Sequence, residues 1–140
     1  MIRLFDVNPD LDLPAHRAQF DACGRVQIRD VLTIDSARAL ADVITKATPW
    51  GLSWASGSQS PKFKRQAELD ANDLSHINKQ TFDAMANNEY AFAFASYPML
   101  NAYLEHWDTH GPHDIILEHI NSEPFMSLLR AVTGIASLIK

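Results

Sequence analysis

Strand-like and helix-like hydrophobic periods follow one another along this sequence, which predicts an α+β fold. Three observations carry that prediction. Tyr90, Phe92 and Phe94 alternate with Ala91, Ala93 and Ala95, the period of a strand. Leu40, Val43, Ile44 and Ala47 recur at i, i+3, i+4, i+7, as do Phe125, Leu128, Leu129 and Val132, the period of amphipathic helices. With 140 residues, 46% of them apolar, residues 1–140 are expected to form a single domain around one core.

The elements follow in order. Pro14 to Cys23 reads as a short helix, with Pro14 in its first turn and Gly24 as its stop. Arg25 to Val31 alternates, with Val26 and Ile28 to one side, and predicts a strand with one wet face. The next helix is expected to be capped by Asp35 or Ser36 and ended by Pro49. Trp50, Leu52 and Trp54 then share one face of a strand, GSQSP makes a turn, and Phe63 to Leu69 is a weaker strand. The turn around Gly57 to Lys62 could also serve as a lid.

A third helix begins near Asp73, with Leu74, Ile77, Thr81 and Met85 on one stripe. The alanine side of the Tyr90–Phe94 strand predicts a close packing neighbour. Its aromatic side suits either a buried core strand, the favoured reading, or a ligand platform. Leu100, Tyr103, Leu104 and Trp107 form the stripe of a helix that starts at Pro98. Beyond Gly111-Pro112 a short helix carries Ile115, Ile116, His119 and Ile120. Ser122 caps the last helix, Gly134 ends it, and Ile135 to Lys140 is expected to begin a strand.

Seventeen acidic and twelve basic residues give a net charge of −5, with no basic cluster along a helix, so nucleic acid is not an expected partner. Lys62, Lys64 and Arg65 are read as a solvated face in preference to a phosphate contact. The N-terminal MIRLFDVNPD has no apolar signal region and no run approaches a membrane span, so a cytoplasmic protein without membrane contact is expected. Cys23, the only cysteine, is read as a small core-facing thiol in preference to a nucleophile.

EHWDTHGPHDIILEH, Glu105 to His119, holds four of the six histidines and a His-x-Asp, His106-Trp107-Asp108. That pattern is half of a two-histidine, one-carboxylate iron site. On a helix, however, residues i and i+2 point about 200° apart and cannot grip one ion. His106 and His110, read here as i and i+4 of one helix, lack a third ligand at a fixed offset. Exposed histidines are therefore the favoured reading. Glu118 and Glu123 could be drawn as an acid–base pair, but their spacing does not set them apart from surface charge. No phosphate-binding, dinucleotide, nucleophile-elbow or paired-cysteine motif is present.

Four phrases carry a family resemblance: GRVQIRDVLTIDSARAL (Gly24 to Leu40), TPWGLSW (Thr48 to Trp54), YAFAFASYPMLNAYL (Tyr90 to Leu104) and GPHDIILEHINSEPFMSLLRAVTGIASLIK (Gly111 to Lys140). In them the sequence resembles the N-terminal part of bacterial 2-oxoglutarate- and Fe(II)-dependent oxygenases of the prolyl-hydroxylase-like group. The resemblance implies the N-terminal helices and first strands of a double-stranded β-helix, or jelly roll, left incomplete. It also implies Fe(II) and 2-oxoglutarate as cofactors and a prolyl residue of a protein or peptide as substrate. The family's strand-borne His-x-Asp, later His and 2-oxoglutarate-binding base all follow the segment that matches TGIASLIK. No catalytic, cofactor-binding or metal-binding residue is therefore carried over. The chain alone is expected to be inactive, to bind neither cofactor and to self-associate or be only marginally folded. The alternative is a self-sufficient, non-catalytic binding module.

Overall fold

The computed structural model describes residues 4–139. Its elements are α1 (Leu13–Cys23), α2 (Ile34–Asp42) running into a π-turn at Val43–Ala47, β1 (Gly51–Ser56) and β2 (Lys62–Lys64). A 3-10 turn (Gln66–Glu68), α3 (Ala71–Ala86), β3 (Ala91–Ser96), α4 (Met99–Leu104), α5 (Pro112–Ile120) and α6 (Glu123–Thr133) complete it. The class is α+β. The chain divides into two compact units, one of residues 1–47 with 99–140 and the other of residues 48–98.

The second unit is a three-stranded antiparallel sheet, ordered β2-β1-β3, with one helix against it. Residues directly opposite in a ladder point to the same side of the sheet. Leu52 and Trp54 of β1 pack with Ile77 of α3, so that side is the helix side. Their partners across the ladder are Ala95 and Ala93 of β3. The alanines lie on the side of α3, but Ala93 and Ala95 stay exposed at the sheet edge, so the close packing their pattern predicts is met only by Leu52 and Trp54 of the neighbouring strand. Burying side chains such as Leu52, Trp54 and Ile77 contributes about 1.5–3 kcal/mol each, gross. α3 buries Ile77, Thr81 and Ala84. Leu74 and Met85, expected on that stripe, are about half exposed because the buried face is rotated toward Ala84.

Lys64 also points to the helix side, and its ammonium meets the Asp73 carboxylate at 2.7 and 2.9 Å. Asp73 in turn accepts from the Asp70 amide while Asp70 accepts from Asn72 and Asp73, a reciprocal cap on α3. Lys64 therefore ties the hairpin to the start of the helix, a bond the solvated-face reading did not contain. The hairpin loop is closed by the Gln59 amide on Ser56 O and the Lys62 ammonium on Gln59 Oε1, with Gly57 at φ 59°.

In the first unit α1 packs on α6, α5 touches α4 and α6, and the core holds Ala102, Ile116, Met126, Leu128 and Val132. Phe5 meets the ring of Phe125 edge-on at 5.2 Å. Gly24 and Gly134 end α1 and α6 at φ 66° and 68°, each amide reaching back to the carbonyl four residues earlier. Glycine has no Cβ to hinder that left-handed turn.

Several expectations are corrected. Arg25–Val31 is not a strand. Among the described residues no strand lies beside it, and the segment that follows makes a bridge, Val7 with Leu32. α2 starts one residue before Asp35, with Thr33 at the N-cap. Ser36 is buried, and its hydroxyl accepts from the Asp6 amide instead of capping. The strand expected over Phe63–Leu69 is only Lys62–Lys64, followed by the 3-10 turn. Ile135–Ile139 is a turn and irregular chain, held where Arg130 Nε and Nη2 donate to Leu138 O at 3.1 and 2.9 Å; Lys140 lies outside the described residues. Cys23 is exposed, at the end of a helix that buries none of its residues fully.

Gly51 of β1 has no room for a side chain. A Cβ there would collide with Lys64 O and come within 2.9 Å of the Phe63 ring. Gly51→Ala is expected to lower stability by about 1–3 kcal/mol, read as a drop in the thermal midpoint of purified protein.

Candidate functional site

Two regions concentrate chemistry or exposed apolar surface, one in each unit. The histidine-rich region begins where α4 ends. The His106 amide donates to Tyr103 O at 3.2 Å and the Trp107 amide to Ala102 O at 3.0 Å, with His106 at φ 56°. Those two bonds and the left-handed residue define a Schellman stop. The helix expected to reach His110 thus closes six residues earlier, at Leu104. A histidine occupies the position that glycine usually marks, so the stop was not legible in the sequence.

A tight turn follows, with the Gly111 amide on Asp108 O at 2.8 Å and His110 at φ 62°. It delivers the chain to α5, whose N-terminus carries the positive end of the helix dipole. Two carboxylates gather there. Asp108 lies so close to Gly111 that a Cβ on Gly111 would strike it, and Asp114 Oδ2 accepts from the His110 amide at 3.1 Å. His113, on the first turn of α5, is buried beside both. Burial pushes its pKa below the usual imidazole value, and the Asp108 and Asp114 carboxylates offset part of that fall.

His106 and Asp108 therefore serve the end of one helix and the start of the next. Neither is helical: both belong to the turn between α4 and α5. Among the described residues no three His, Cys, Asp or Glu side chains are grouped so that they could hold a metal ion. The donor set does not fit a two-histidine, one-carboxylate iron site. Glu118 and Glu123 are not brought together as acid and base either. Glu118 accepts from Tyr103 Oη at 3.2 Å and raises the tyrosine pKa, while Glu123 pairs with Arg130. A groove of about 820 Å³ runs along α2, lined by Leu32, Leu40 and Ile44 with Asp10 and Asp30 also at its wall.

The second region is the sheet face turned away from α3. Phe92 and Phe94 lie opposite Ala55 and Ser53, and Phe63 of β2 also lies opposite Ser53, so all three rings share this side. Phe92 stacks on Phe94 at 5.1 Å between ring centres and meets Tyr90 edge-on at 5.9 Å. Beneath them β1 supplies only Gly51, Ser53 and Ala55, and Ala55 is fully covered. Tyr90 is 75% exposed and Phe94 53%. The favoured reading of a buried core strand is thus corrected: β3 is an edge strand with a half-open aromatic ladder. Phe63 belongs to the same face but was hidden in the sequence between two lysines.

Comparison with protein-family profiles, with curated proteins and with solved structures returned no match. Among the described residues no helix is long and apolar enough to cross a membrane.

Two outcomes follow for the histidine region. His106→Gly relieves a left-handed non-glycine residue and is expected to stabilise the protein by about 1 kcal/mol, with metal content unchanged by elemental analysis. His113 has a lowered folded pKa, so its contribution is full above the ordinary value of about 6.5 and is lost as the pH falls through the folded value. Denaturant titrations from about pH 8 to about pH 5 should show that loss, and His113→Gln should flatten it.

Proposed function

We propose that this chain is a scaffold portion of a 2-oxoglutarate- and Fe(II)-dependent dioxygenase of the prolyl-hydroxylase-like group. In that reading its helices buttress a jelly-roll sandwich and its strands open one sheet of it. The substrate proposed is a prolyl residue of a protein or peptide. One observation supports the reading above others: α3 covers one face of the sheet, while the other carries an aromatic ladder over small residues with half of its apolar surface open. A sandwich core is made of two such faces packed about 10 Å apart. The four phrases quoted above, which resemble the family's N-terminal segment, support the same reading.

Hydroxylation of a C–H bond coupled to decarboxylation of 2-oxoglutarate would be carried by residues outside this sequence, since none of its own His and carboxylate positions matches the family's iron-binding motif. A second reading, a binding module without catalysis, draws on the same exposed ladder, because aromatic rings on a rigid strand suit an extended peptide.

The deciding experiment reads the gene beyond the codon for Lys140 and expresses the whole frame. The expected result is a continuing frame with His-x-Asp and a later His, forming succinate from 2-oxoglutarate with Fe(II), ascorbate and a proline peptide. The 140-residue chain alone should form no succinate above a no-protein control. A stop codon directly after Lys140, or a whole product that forms no succinate, overturns the proposal.

A further inference from the structure

The two edges of the sheet in the second unit are built differently. β2, one edge, is three residues long, reads Lys62-Phe63-Lys64 and follows Pro61. Shortness, lysine and proline are the devices by which proteins keep an edge strand from pairing with another chain. β3, the opposite edge, spans six residues, Ala91-Phe92-Ala93-Phe94-Ala95-Ser96, with no charge, proline or glycine. Among the described residues no strand lies on its outer side, and Ala93, Phe94 and Ala95 are exposed.

We propose that the outer edge of β3 is a homodimerisation edge, on which β3 of a second copy pairs antiparallel about a two-fold axis. The partner is specified by the strand itself. Side chains alternate with period two, so an antiparallel copy in matching register sets phenylalanines beside phenylalanines and alanines beside alanines on common faces. The aromatic ladder then runs on across the junction, and the alanine side continues the surface on which α3 lies. Along β3 there is no charged group that would select a different sequence. The contact is isologous and closes on itself, which favours a dimer over a filament.

Its size sets its strength. An aromatic side chain offers about 150–250 Å², of which three-quarters of Tyr90 and half of Phe94 remain exposed. With the backbone edge added, the area per copy stays below the roughly 800 Å² of a standard interface. The dimer is therefore weak and concentration-dependent. It concerns the 140-residue chain and stands apart from the enzymatic reading.

Sedimentation velocity of the purified chain over a dilution series tests the proposal, with hydrogen exchange of the Ala91–Ser96 amides at the same concentrations. The wild type should pass from dimer to monomer on dilution, with protection of those amides falling in step. Phe94→Lys should stay monomeric throughout. Phe82→Lys, which changes an exposed ring on α3, should dimerise as the wild type does. A wild type that is monomeric at every concentration overturns the proposal, as does dimerisation without added protection on β3. So does a Phe94→Lys protein of unchanged melting that still dimerises. If that variant fails to fold, the exchange measurement on the wild type decides alone.

Discussion

A sheet has two faces, and the second unit supplies a single helix to cover them. Most of what is distinctive in residues 48–98 follows from that constraint. β1 sends its large side chains, Leu52 and Trp54, to the helix and keeps Gly51, Ser53 and Ala55 for the other side. β3 does the opposite, giving α3 its alanines and the open side its phenylalanines. Each strand is thus large where its neighbour is small, and both faces stay level. On the helix side Leu52 and Trp54 are buried, while Ala93 and Ala95 at the sheet edge stay exposed. The aromatic side has its small residues covered by rings whose outer surfaces stay wet.

The link from the hairpin to α3 uses the same geometry. Because Lys64 is opposite Leu52, it must emerge on the helix side. There it finds Asp73, whose carboxyl is held below the usual carboxylate range first by Lys64 and then by the Asp70 amide. The same partner raises the Lys64 pKa. The pair is partly open to water and adds little energy by itself. It does fix which turn of the helix meets which residue of the strand.

In the first unit, polar chemistry is spent on helix ends. His106 ends α4, while Asp108 and Asp114 gather where α5 begins. Backbone amides at a helix start need acceptors, and a buried one left without a partner would cost more than a hydrogen bond returns. Asp114 meets part of it from inside the helix by accepting from the His110 amide just before α5. A segment dense in histidine and aspartate can therefore look like a metal site in sequence while serving as a connector in the fold.

The sequence by itself determined the class, the existence of most helices and the two strands whose alternation is strict. It also marked the stops at Gly24 and Gly134, since glycine at a helix end carries its own conformational reason. What it could not determine were events that depend on a partner distant in the chain. Val26 and Ile28 alternate like a strand, yet a strand requires a neighbour to receive its backbone bonds, and among the described residues none lies beside them. Ser36 looks like a cap until Asp6 claims its hydroxyl. His106 and Asn88 take left-handed turns without being glycine, each as the stop of a helix. Only the tertiary structure decided which way each face of β3 would turn: alternation reveals that a strand has two sides, but the pairing of Leu52 with Ala95 and Trp54 with Ala93 turns the alanines to the side of α3 and the aromatics to the open side.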